Sequence, residues 1–119
     1  MTLIFEHPIC LEHDMGPGHP ERPDRLRAIQ LALAEGEFAA LERRPAPLAD
    51  WPQIAPAHPQ HYIDQVVAAA PARGRVQLDP DTAMNPASLE AAQRAAGAVC
   101  AAVDAVMAGE AGNAFCAVG

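Results

Sequence analysis

The chain is poor in the features that would give its chemistry away. Only three of its 119 residues are cysteines, Cys10, Cys100 and Cys116, and none forms a CxxC pair. An odd number at such spacing excludes a disulfide scaffold or thiolate metal cluster and points to reduced thiols in a cytoplasm. No HExxH and no Asp-x-His occurs, so no standard zinc-hydrolase motif is present. No stretch approaches the roughly 20 apolar residues that a membrane span needs. The first ten residues, MTLIFEHPIC, lack a basic leader and carry too short an apolar run for a signal peptide. Basic residues are scarce, eight against fifteen acidic, and the net charge of −7 argues against a nucleic-acid partner. No internal repeat or low-complexity linker is found.

What is present is a chain half hydrophobic in composition, enough for a folded core, with twelve prolines to break it into pieces. Its length suits one small domain or part of a larger one. The organising stretch is His13 to Ile29, HDMGPGHPERPDRLRAI. Gly16, Pro17, Gly18 and Pro20 forbid regular structure at its start. Pro23 then suits a first helical turn, and Asp24 complements the positive end of the helix dipole. Leu26, Ile29 and Leu33 share one face, with Gly36 as the stop. His19, Glu21, Arg22 and Arg25 are thereby crowded at a loop-to-helix junction.

Elsewhere, Thr2 to Phe5 reads as a buried strand. Phe38 and Leu41 extend a helical segment that Pro45 and Pro47 end. Residues 46 to 59 read as an extended connector pinned by Trp51. His61 to Ala70 reads as a helix with Tyr62 and Val66 on one face. Residues 71 to 86 read as loop, apart from a short extended piece at Arg75 to Leu78. The best helix runs from Pro86, capped by Asn85, to Ala108, with Leu89, Ala92, Ala96, Val99, Val103 and Val106 as its core stripe and Gly109 ending it. Alanines on its other faces allow close packing on two sides. Asn113 to Val118, NAFCAV, reads as a buried parallel strand. Strand, helix, helix, helix, strand is an α/β plan short of strands, as expected of the opening part of a larger domain.

The histidines His7, His13 and His19 are evenly spaced. That spacing fits neither a helix face nor a strand face, so a metal site there is not expected. Taken alone, Arg25 reads as an exposed helical arginine. Asp81, in LDPDTAMNPAS, reads as a loop residue ahead of a capped helix. The cysteines read as small buried hydrophobes.

The run G-H-P-E-R-P-x-R-L at Gly18–Leu26, preceded by His13-Asp14, resembles the first loop of the zinc-dependent histone deacetylase superfamily, above all its class II enzymes and the bacterial deacetylase-like amidohydrolases. The resemblance continues through Ala57-His58, Tyr62-Ile63, Leu78–Thr82, Pro86–Gly109 and Asn113–Phe115. It implies an α/β fold: the N-terminal part of a three-layer α/β/α arginase/deacetylase-like domain with a mainly parallel sheet. It also implies that residues 1–119 are the N-terminal part of a single deacetylase domain, ending before an Arg-Pro-Pro-Gly-His-His segment. The family's zinc ligands, two Asp and one His, and its general-base histidines would then lie beyond Gly119. No catalytic residue and no metal ligand is therefore expected in this chain, and by itself it should be inactive and zinc-free.

On the same resemblance Arg25 lies at the floor of the active-site tunnel, by an internal channel thought to pass acetate. His19, Pro20 and Glu21 form pocket rim, and Asp81, with Asp79 as runner-up, accepts a hydrogen bond from the substrate's backbone amide. The complete protein would be a cytoplasmic, zinc-dependent deacetylase acting on acetylated lysine or a polyamine amide, with a tendency to form homo-oligomers. The rival reading is a non-catalytic module of the same fold that pairs with itself or another subunit.

Overall fold

A computed structural model describes all residues 1–119. Three parallel strands form the central sheet: β1 (Thr2–Glu6), β2 (Glu42–Pro45) and β5 (Asn113–Ala117), in the order β2-β1-β5. Leu3 pairs with Glu42 on one side and Ala114 on the other. A separate antiparallel hairpin joins β3 (Val76–Asp79) to β4 (Thr82–Met84). The helices are α1 (Pro23–Leu33), the single turn α2 (Trp51–Ile54), α3 (Gln60–Ala69) and the 20-residue α4 (Ser88–Met107).

The α/β plan and the parallel sheet agree with the sequence reading, and so do the positions of β1, α1 and β5, but β5 is not the buried strand expected: as an edge strand it leaves Phe115 exposed and buries only Ala117. Pro23 occupies the first turn of α1 and Leu26 is its buried residue. Two 3-10 turns, Pro8–Leu11 and Gly36–Ala40, flank it in the chain.

Several expectations need correction. The segment after Gly36 does not continue as helix. It turns once and enters β2, whose sequence ERRP carries no apolar signal. The strand is held by its ladder to β1, and its position at a sheet edge tolerates Pro45. Residues 46–59 are not an extended connector pinned by a buried Trp51, which is 40% exposed. Asp50 and Gln53 close a capping box that starts α2 at Trp51. The pins are Ala46 and Ala49, both buried, whose N–H groups donate to the carbonyls of Glu6 (2.8 Å) and Gln93 (3.0 Å). On α3 the buried residue is Ile63, and the adjoining Tyr62 is exposed. The segment 71–86 is no plain loop, since β4 follows β3 in a bulged hairpin.

The stripe on α4 is displaced most. Val99 and Val103 are exposed, at 52% and 55%, while Ala91, Gly97, Ala98, Ala102 and Ala105 are buried. Hydrophobicity alone favours the valines. Close packing selects the small residues, because Ala98, Ala102 and Ala105 lie directly on Leu3 and Phe5 of the sheet. Gly97 shows the demand most sharply. A Cβ there would overlap the carbonyl of Pro47 and reach 2.8 Å from the nitrogen of Ala49. The helix begins two residues after Pro86, with Ala87 and not Asn85 as its N-cap and no side-chain cap; Asn85 instead forms an Asx turn just ahead of it, its side-chain oxygen accepting the Ala87 N–H at 3.2 Å. It ends as a Schellman motif. Gly109 has φ +79, its N–H donates to Val106, and the Glu110 N–H donates to Ala105.

All three cysteines are free thiols. Cys10 is buried against Leu26 and Ala91, and that burial pushes its thiol up from the usual value. Cys100 and Cys116 are only half-buried.

Candidate functional site

The strand order places the site. The chain leaves β1 toward β2 and returns on the other side of β1 as β5, so winding reverses between β1 and β5. In open parallel sheets the crevice at such a reversal, outside the carboxyl ends of the strands, is where ligands bind. Here that crevice receives the loop after β1, which carries His13, His19 and Glu21, the first turn of α1 with Arg25, and Val118 and Gly119 just after β5.

A cavity of about 400 Å3 opens at this point, lined among others by His13, Met15, Glu21, Arg25, Ser88 and Gly119, with Leu78, Thr82 and Met84 of the hairpin on its other wall. Arg25 Nη2 donates to Glu21 Oε1 at 3.3 Å and to the carbonyl of Val118 at 3.2 Å. Any side chain at position 119 would strike the Arg25 guanidinium, so the glycine lets the end of β5 approach it. Glu21 Oε2 is buried without an aligned hydrogen bond, and His13 Nε2 lies 3.3 Å from it. His13 Nδ1 in turn lies 2.6 Å from Ser88 Oγ.

A second polar group sits above. His19 Nε2 lies 2.9 Å from the carbonyl oxygen of Asp81 and 3.1 Å from its carboxylate. His19 Nδ1 accepts the N–H of Glu21 at 3.0 Å. The carbonyl of Asp81 raises the His19 pKa above its ordinary 6.5; burial opposes this, and the Asp81 carboxylate adds to it. Asp79 Oδ1 accepts the Asp81 N–H at 2.8 Å and so shapes the turn from which Asp81 projects. The Asp81 side chain is 91% exposed.

The structure therefore brings His19 and Asp81 together although 62 positions separate them. Pro20 is exposed beside them, while Glu21 and Arg25 line the cavity. Sequence reasoning missed His13 and Ser88 as members of this group. The one available signal was the His13-Asp14 pair next to the Gly/Pro loop, where Asp14 Oδ1 accepts the Gly16 N–H at 2.9 Å and fixes the turn. A second groove of about 300 Å3, between α2, α3 and α4, is walled mainly by apolar residues such as Ile54, Ile63 and Leu89. His58 and Tyr62, whose tilted rings lie 5.3 Å apart, are among its polar-tipped groups, and it offers no acidic or basic cluster.

A zinc ion needs three or four nitrogen, sulfur or oxygen donors fixed at about 2 Å. No three His, Cys, Asp or Glu side chains are grouped to hold a metal. His7 Nδ1 accepts the Ile9 N–H, His13 faces Ser88 and Glu21, and His19 faces Asp81. The residues present do not fit zinc, and no step can be routed through it here. What they can do is orient a guanidinium and a carboxylate at the mouth and wall of a cavity.

Comparison with known proteins shows the family. Residues 19–119 match the model of the histone deacetylase domain. The chain is 35% identical to a histone deacetylase-like amidohydrolase of Pseudomonas aeruginosa, over 96% of this chain and 34% of that protein. It is 36% identical to an uncharacterized protein of Synechocystis, over 90% of this chain and 36% of that protein. The crystal structure of the HDA15 HD domain superposes with a TM-score of 0.89 at 27% identity, covering 98% of this chain and 36% of that one. The chain thus spans about a third of the length of these relatives. By its domain match, its relatives and its fold, the chain belongs to the histone deacetylase family.

Proposed function

We propose that residues 1–119 are the N-terminal portion of a single zinc-dependent deacetylase domain, and that the complete protein hydrolyses the acetyl amide of acetylated lysine or of an acetylpolyamine. The observation that carries this reading is the Arg25 guanidinium, held between Glu21 and Val118 on the wall of a cavity at the reversal point of the sheet. Both acceptors bind the same nitrogen, Nη2, and its other N–H groups donate to no protein acceptor. They are free to hold a carboxylate product such as acetate by paired hydrogen bonds.

Zinc, when bound by residues outside these 119, supplies polarisation of the amide carbonyl and activation of water. The residues described here bind and orient. His19 and Pro20 form rim, Glu21 sets Arg25, and Asp81 presents a solvent-facing carboxylate that accepts a substrate backbone N–H. His19 buttresses Asp81 from behind. The acidic balance of the chain suits a basic acetylated peptide or polyamine and disfavours nucleic acid. No helix is long and apolar enough to cross a membrane. Three unpaired thiols support a cytoplasmic setting.

The complete protein, zinc-loaded and then stripped by a chelator, is to be incubated with an acetyl-lysine peptide and with an acetylpolyamine. Zinc-dependent acetate release supports the reading. A folded, zinc-loaded protein that releases none from either substrate refutes it. A second reading, a non-catalytic self-associating module, is favoured by the exposed Val99, Val103 and Met107 on α4 and Phe115 on β5. It predicts concentration-dependent mass without hydrolysis.

A further inference from the structure

His13 lines the same cavity yet has no part in the chemistry above. We propose that His13 is a positioning residue for Arg25, acting through Glu21 with its tautomer set by Ser88. The inference rests on the reading of Arg25 as part of the active cavity.

The argument begins with Arg25. Its side chain is 39% exposed, and its ion pair with Glu21 is an i,i+4 contact of a kind that contributes little on its own. Whatever fixes Arg25 must fix Glu21 first. Glu21 leaves a loop rich in Gly and Pro, so its backbone supplies no helical frame. One of its carboxylate oxygens faces Arg25. The other, Oε2, is buried without an aligned hydrogen bond, and His13 Nε2 lies 3.3 Å from it. A buried carboxylate oxygen with no donor is costly, so the tautomer with a hydrogen on His13 Nε2, which a small ring rotation would direct at Oε2, is the favoured one.

A neutral imidazole has one N–H and one bare nitrogen. If Nε2 holds the hydrogen, Nδ1 must accept one, and the only donor in reach is the Ser88 hydroxyl at 2.6 Å. Ser88 is well placed to give it. Its Oγ already accepts the Asn85 N–H at 2.8 Å, which leaves its own O–H to be donated. The alternative acceptor for that O–H is Asn85 Oδ1 at 2.9 Å, and it serves when His13 is an imidazolium with Nδ1 donating to Ser88. In both states Nε2 keeps its hydrogen on the side of the ring that faces Glu21. The remaining neutral tautomer would set a bare nitrogen against a carboxylate oxygen and is excluded by repulsion. Ser88 is the first residue of α4 and only 5% exposed, so the anchor of this relay is rigid. The relay runs from α4 through the loop to α1 and the end of β5, and it encircles the cavity without touching a reacting atom.

The test uses the complete, zinc-loaded protein. His13→Ala is expected to lower kcat on an acetyl-lysine peptide about tenfold with KM within about twofold, as misplacement of an orienting group does. His13→Gln, which can still donate to Glu21, is expected to recover most of that loss. Combined with Arg25→Ala, His13→Ala is expected to add less than about twofold, because residues acting as one unit are not additive. Nitrogen NMR of the Arg25 guanidinium gives a readout free of activity: restricted rotation in the wild type becomes fast in His13→Ala and stays restricted in His13→Gln. If His13→Ala does not fold, Ser88→Ala, which removes one oxygen, carries the same expectations. Additive losses, or an Arg25 signal left unchanged by His13→Ala and by Ser88→Ala, overturn the proposal. A wild type without deacetylase activity overturns the functional reading instead, and the Arg25 signal still decides whether His13 positions it.

Discussion

The guanidinium Nη2 of Arg25 donates to the carbonyl oxygen of Val118 at 3.2 Å, tying the first helix to the end of the last strand across 93 positions of chain. That bond holds Arg25 in the wall of the cavity that opens between β1 and β5. On spacing alone it would be a solvated helical residue.

Asp81→Ala in the complete enzyme is expected to weaken peptide substrates more than an acetyl-lysine analogue without backbone amides. A hydrogen bond to a charged group contributes roughly 1.5–3 kcal/mol, and exposure of this carboxylate reduces it, so roughly a three- to tenfold difference in kcat/KM is expected. The comparison of kcat/KM on the two substrates decides. Equal losses would leave Asp81 with a role in loop shape only.

The His19–Asp81 contact titrates with a definite sign. The folded pKa of His19 is raised above 6.5, chiefly by the Asp81 carbonyl. Its contribution to stability is therefore fully present below the unfolded pKa and is lost as pH rises through the folded value. Proton NMR of the His19 ring should give a midpoint above 6.5. Asp81→Ala should lower that midpoint only in part, since the carbonyl remains. A midpoint at or below the ordinary value would mean that the contact does not form in solution.

Gly97→Ala is expected to destabilise the complete protein by about 1–3 kcal/mol, the usual cost of overpacking. The added methyl would meet the Pro47 carbonyl, and backbone cannot swing aside as a side chain can. The urea midpoint measures this. An unchanged midpoint would show that segment 46–49 packs elsewhere.

How far these features could be read in advance varied with the kind of force behind them. Pro23 and Asp24 announced α1, and Gly109 announced the end of α4, because those signals act within one turn. The strand β2 was invisible, since ERRP enters the sheet through backbone pairing while its charges find partners: Arg43 donates to the Leu33 carbonyl at 2.5 Å and Arg44 to Glu110 at 3.1 Å. The buried face of α4 was misjudged because periodicity ranks valine above alanine, whereas contact with Leu3 and Phe5 admits only small residues. His13 escaped notice because Ser88 lies 75 positions away. The loop–helix motif at Gly18–Leu26 did mark the place where the cavity forms.

Residues 1–119 produced alone are expected to neither bind zinc tightly nor hydrolyse acetyl-lysine, and to self-associate. The outer edge of β5 is unpaired, Phe115 on it is 46% exposed, and Val99 and Val103 lie bare on α4. An unpaired apolar strand edge recruits other chains. Light scattering and elemental zinc after dialysis check both parts. A zinc-free, cooperatively folding monomer would refute the association, and stoichiometric zinc with activity would refute the rest.

The most direct measurement is acetate release from an acetyl-lysine peptide by the complete protein, wild type against Arg25→Ala, at equal zinc content. The expected result is zinc-dependent turnover in the wild type and a loss of about tenfold or more in the variant, with the metal retained. Equal turnover by a folded, zinc-replete Arg25→Ala would contradict the placement of Arg25 in the active cavity.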